Sequence, residues 1–134
     1  MQRCTLQDIV KTANFVPFSD THIQDIVRHV SKQNAKGLLV RFHPKFTASG
    51  AEALEAMRDG IFVLSCPQIA CDFVYTCENG GKGLFGAQKR IFKVYAGDFE
   101  ANDFTASNSF KSFAIAITSI NNIFRHEGLL HGRV

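Results

Sequence analysis

The residues best suited by type and spacing to do chemistry are Gly81-Lys82-Gly83-Leu84-Phe85-Gly86, which satisfy both G-x-G-x-x-G and the G-x-G-x-F-G form of a protein-kinase glycine-rich loop. A dinucleotide site needs a helix directly after the last glycine, because the pyrophosphate rests on the N–H groups of a helix N-terminus. Residues 88–96 read as a strand instead, so that reading fails. The kinase reading has the right hairpin context. Phosphoryl transfer also needs a catalytic Asp and Asn and a metal-binding Asp-Phe-Gly downstream, and the remaining chain has neither those motifs nor the length. The plain alternative is a flexible hairpin tip whose glycines supply positive φ angles.

Four basic residues, Lys82, Lys89, Arg90 and Lys93, fall in or just after this loop, interleaved with Phe85, Phe92 and Tyr95. Cations neutralise phosphates and aromatic rings stack on unpaired bases, so the pattern fits a nucleic-acid-binding hairpin over residues 79–93. A solvated strand face with its apolar alternates in the core gives the same pattern.

The thiols and imidazoles give weaker signals. Cys4, Cys66, Cys71 and Cys77 lack the tight paired knuckles of a structural zinc site, and a reducing compartment makes buried thiols the expected state. A cysteine–histidine catalytic pair from Cys66 or Cys71 with His43 has no local signature. His126-Glu127-Gly128-Leu129-Leu130-His131 carries one residue too many for H-E-x-x-H, leaving the histidines about 140° apart on a helix. The zinc-deaminase pattern is absent, and the acidic residues are spread singly. No catalytic residue, cofactor or metal is therefore expected.

These residues need a scaffold. Leu6, Ile9, Val10 and Ala13 have helical spacing behind Thr5 as N-cap. A second helix is expected from a Thr21–Gln24 capping box, burying Ile23, Ile26, Val27 and Val30, exposing Arg28, His29 and Lys32, and ending at Gly37. Residues 37–43 read as a strand, 50–58 as a short helix opened by Ser49-Gly50-Ala51-Glu52, and 61–66 as a buried strand. Residues 69–77 and 88–96 then form a hairpin with a long loop, 78–86. Residues 97–108 read as a surface loop with Phe99 and Phe104 tucked in as anchors, and 109–125 as the longest helix, with Phe110 on its stripe. The expected fold class is α+β, with order ααβαβββα and about four mainly antiparallel strands packed with helices.

A length of 134 residues, near the ~100–200 of a typical domain, predicts one domain over 1–134. Hydrophobic residues at 46% and thirteen Phe supply a core, which excludes general disorder. A net charge of +3 neither implies nor excludes nucleic acid. No apolar run approaches the ~20 residues of a membrane span, and the first twenty residues lack a signal-peptide pattern, so a cytoplasmic protein with no membrane partner is expected.

A good core without a catalytic set favours a protein-binding module, an accessory, immunity or inhibitor protein that occludes a partner's surface. Candidate contact residues are Lys82, Phe85, Lys89, Arg90, Lys93, Phe99 and Phe104. The nucleic-acid-binding hairpin is the alternative, and a small enzyme with an unrecognised site is third. Ile115 and Ile123, off the stripe of the last helix, are compatible with a second covered face, against the sheet or a partner, and a homo-oligomer is a further option.

Overall fold

The computed structural model describes residues 3–12, 14–37, 40–43, 58–86, 88–106 and 110. The elements run β1 (Arg3–Cys4), α1 (Leu6–Thr12), α2 (Asp20–Ala35), β2 (Arg41–Phe42), β3 (Ile61–Cys66), β4 (Cys71–Lys82), β5 (Gln88–Asp98) and β6 (Asp103–Ala106). The six strands form one sheet in the order β1-β6-β5-β4-β3-β2, and every pairing is antiparallel.

This corrects the expected four-stranded ααβαβββα arrangement. The described chain is dominated by a six-stranded sheet with two helices. Two strands were missed. β6 occupies residues read as a surface loop, and β1 adds to its free edge through Arg3↔Thr105 and Cys4↔Phe104. Both are too short to show a period of their own; β6 forms on the unpaired backbone groups of β5, and β1 on those that β6 then offers. The expected helix 50–58 lies outside the described residues apart from Arg58. The expected helix 109–125 lies outside them apart from Phe110. That residue exchanges backbone hydrogen bonds with Phe92 at 2.8 Å, so it extends the sheet at this point.

The sheet is covered on both faces. On one, Phe62, Leu64 and Cys66 of β3, Phe73, Tyr75 and Cys77 of β4, and Phe92 and Val94 of β5 pack with Phe18, Ile23 and Ile26 from α2 and its approach. The Phe62 and Tyr75 rings, cross-strand partners, stack nearly parallel with centroids 4.8 Å apart. On the other face, Ile61, Val63, Val74, Tyr95 and Phe104 pack with Ile9 of α1. Double coverage explains why all six residues of β3 are buried.

The helices keep their sequence logic with local revisions. In α1, Thr5 Oγ1 accepts from Asp8 N–H and Thr5 N–H donates to Asp8 Oδ2, a reciprocal cap. For α2 the cap is Ser19, not Thr21. Ser19 Oγ accepts from His22 N–H while His22 Nδ1 accepts from Ser19 N–H, and His22 also sets its ring edge-on to Phe92. Starting at Asp20 puts an acidic residue at the positive end of the helix. The buried stripe holds Ile23, Ile26, His29 and Gln33, whereas Val27 is half-exposed. His29, expected in solvent, is thus in the interior.

Candidate functional site

The β4–β5 hairpin is the longest ladder in the sheet, pairing Asp72↔Gly97 through Asn79↔Arg90. Alternating aromatic and β-branched residues drive its inner half into the core, and its outer half projects past it. The ladder does not stop at residue 77. After a bulge at Gly80–Gly81 it resumes with Lys82↔Gln88, which shortens the expected nine-residue loop. Gly81 has φ +90°, and its N–H donates to Asn79 Oδ1 at 2.9 Å, fixing the bulge.

The chain reverses through one tight turn at Leu84–Gly86, closed by Gly86 N–H donating to Gly83 O at 3.2 Å. Phe85 sits in the left-handed region at φ 61°, ψ 22°, an uncommon conformation for a large residue. Its ring is fully exposed and Leu84 is 84% exposed. Lys82 and Lys89 are exposed beside them. Toward the base, Gly80, Lys89, Arg90 and Ile91 line a depression of about 400 Å³.

The other basic residues of the sequence pattern are engaged elsewhere. Arg90 Nε donates to Pro17 O at 3.2 Å, and Cys77 Sγ reaches the same carbonyl at 3.8 Å, tying the hairpin to the approach to α2. Burial pushes the Cys77 thiol up to about 11, partly offset by Arg90. Lys93 Nζ pairs with Glu78 at 3.4 Å, and Glu78 Oε2 also accepts from the Thr76 hydroxyl at 3.2 Å. Burial, with the Glu78 charge adding to it, pushes the Tyr95 phenol up to about 12.

Of the seven residues singled out, the tip therefore gathers Lys82, Phe85 and Lys89, with Arg90 on its flank. Phe99 follows the opposite end of β5 and Phe104 pairs with Gly97 there, roughly 30 Å away along an 11-residue strand. Phe104 is fully buried and Phe99 is half-buried, so both serve the core, as anchors. Leu84 was missed by reading the sequence, although its adjacency to Phe85 in a glycine-flanked turn was a usable signal.

A second polar cluster was also missed. His43 Nε2 lies 3.8 Å from Asp72 Oδ2, both buried on the α1 face. The same Asp72 oxygen accepts from Phe99 N–H at 2.8 Å, and the Phe99 ring packs on the imidazole with centroids 4.5 Å apart. Ser65, the cross-strand partner of Asp72, is small enough for the pair to close over β3. Serine, histidine and aspartate meet here, but all three are buried and the His43–Asp72 separation exceeds hydrogen-bond length. The arrangement fastens the β5–β6 turn to the sheet. Cys66 and Cys71 point to the α2 face, so neither can join His43 in the cysteine–histidine pair considered above.

Among the described residues, no three His, Cys, Asp or Glu side chains converge as metal ligands, and no helix is long and apolar enough to cross a membrane. The glycine-rich segment lies between two strands, which agrees with a hairpin tip and not with a phosphate-binding strand–helix turn. No family model, no curated protein and no solved structure matches this chain.

Proposed function

We propose that this protein is a binding module that occludes a partner protein's surface, with the tip of the β4–β5 hairpin as its anchor. The observation that carries the reading is the pair of large apolar side chains, Leu84 and Phe85, held in solvent at the end of a braced two-stranded arm. Exposed single hydrophobics are ordinary, but two adjacent ones on a pre-ordered turn lose little entropy on insertion into a pocket. Lys82 and Lys89 flank them as a polar rim and favour an acidic border around that pocket. An accessory, immunity or inhibitor role fits such a surface.

The nucleic-acid alternative draws less support, because Arg90 and Lys93 of the original four cations have intramolecular partners. Two exposed lysines make a weak phosphate footprint.

The experiment is affinity capture from native extract with and without nuclease, using wild type, Phe85→Ala and Lys82→Ala/Lys89→Ala. Expected is a stoichiometric protein that survives nuclease, with Phe85→Ala weakening its binding roughly 30-fold, the scale of a hot-spot residue. Nuclease-sensitive recovery with a steep salt dependence, abolished by the lysine changes, would transfer the function to nucleic acid.

A further inference from the structure

We infer that Cys66 and Cys71 form a dithiol that closes reversibly to a disulfide on reaction with a hydroperoxide, making the β3–β4 turn an oxidative-modification site. The two residues are direct cross-strand partners, the last pair of the β3–β4 ladder, on either side of Pro67–Ala70. Both side chains belong to the cluster on the α2 face. Opposed residues in an antiparallel pair keep their Cα atoms about 4.5–5.5 Å apart, inside the ~4.4–6.8 Å that a disulfide spans. Closing the bond needs side-chain rotation at the end of the ladder, where the pair is the last one.

The two thiols differ in the way a reactive and a resolving cysteine must. Cys71 is half-buried and reachable from solvent, whereas Cys66 is fully buried. Burial also pushes the Cys66 thiol upward, which disfavours it as the residue that meets the peroxide first. In the first step the Cys71 thiolate attacks the O–O bond, giving a sulfenic acid and releasing an alcohol, or water when the oxidant is hydrogen peroxide. Cys66 sulfur then displaces the hydroxyl from Cys71 sulfur, forming the S–S bond and releasing water. Two electrons pass from the sulfurs to the peroxide, and both thiol protons leave in the hydroxylated products.

The turn is wired to the rest of the fold. Cys66 Sγ lies 4.0 Å from Gln68 Oε1, and Gln68 Nε2 donates to Gly37 O at 3.1 Å, just past the end of α2. Turning Cys66 toward Cys71 removes its contact with the side chain that joins the turn to that helix. Oxidation therefore acts on the seam between sheet and α2 and leaves the hairpin tip untouched.

The test treats the reduced full-length protein with hydrogen peroxide, then unfolds and alkylates it. Two of the four thiols should be lost, with an intact mass lower by about 2 Da before alkylation and restored by dithiothreitol. The Cys4→Ser variant should behave like wild type, and Cys71→Ser should keep its three remaining thiols. Tandem fragmentation of the Asp59–Lys82 tryptic peptide provides a second readout that needs no variant. Backbone fragments should vanish between Cys66 and Cys71 and persist between Cys71 and Cys77. Four surviving thiols, a bond involving Cys4 or Cys77, or irreversible oxygen addition without a bond would each overturn the inference.

Discussion

His29 lies on the buried stripe of α2, its Nε2 without a hydrogen-bond partner, and burial, followed by repulsion from Lys36 and Lys32, brings its pKa down to about 4. In the unfolded chain an imidazole titrates near 6.5, so between those values the unfolded state holds a proton that the folded state does not. Stability present above the unfolded pKa is therefore lost as pH falls toward 4, by no more than about 3 kcal/mol. His22 shifts the same way, through burial and then Arg90. Urea midpoints measured from pH 7 to pH 4 should fall for wild type and fall less for His29→Leu, whereas parallel curves would mean that His29 is solvated. A second single-residue effect comes from Gly60, at φ +89°. A Cβ there would overlap Val16 O and press on Cys77 O and Phe15 Cβ. Left-handed strain of ~1–2 kcal/mol and overpacking of ~1–3 kcal/mol make Gly60→Ala destabilising by about 2–5 kcal/mol. A denaturation midpoint within error of wild type would refute that geometry.

Among the elements, α2 and the hairpin depend on different forces. The Ser19 cap satisfies an otherwise orphaned N–H at the start of α2, so Ser19→Ala should cost about 1 kcal/mol, read as a lower thermal midpoint. A Thr21→Ala change should cost much less, since Thr21 is already inside the helix. This contrast tests which residue caps the helix, since the sequence reading placed the cap at Thr21 and the structure places it at Ser19, both of which can accept the bond. The hairpin tip makes the opposite prediction. Leu84 and Phe85 stand in solvent, so replacing either with Ser should move stability by no more than ~0.5 kcal/mol. Phe62→Ala, beneath the Tyr75 ring, should cost about 3–5 kcal/mol. A tip variant as damaging as the core variant would show that the tip is packed and not available to a partner.

For the molecule as a whole, protection against amide exchange should fall outward from β3, β4 and β5, which are covered on both faces, to the two-residue edges β1 and β2 and the bulged end of the hairpin. Hydrogen exchange read by mass spectrometry checks this, and uniform protection out to residues 80–90 would contradict it. The same gradient separates what was legible in the sequence from what was not. The runs 61–66 and 88–96, the first part of β4 and both helices could be read because period and capping are local, carried by residues within one or two turns of each other. The tip was also foreseeable, since glycines on both sides of Leu84 and Phe85 leave those side chains little to pack on. Tertiary structure alone decided the rest. β1 pairs residues about a hundred positions away, and so short a strand forms only against an edge that already exists. Which cations would remain exposed was equally hidden. Alternation puts Lys89 and Lys93 on one face, but only the fold brings Glu78 to Lys93 and Pro17 O to Arg90. The burial of His29 and the meeting of His43 with Asp72 follow from how α2 and β2 settle on a sheet covered on both faces. A polar residue's surroundings are set by whatever packs against its element, and that is a property of long-range contacts which local spacing does not encode.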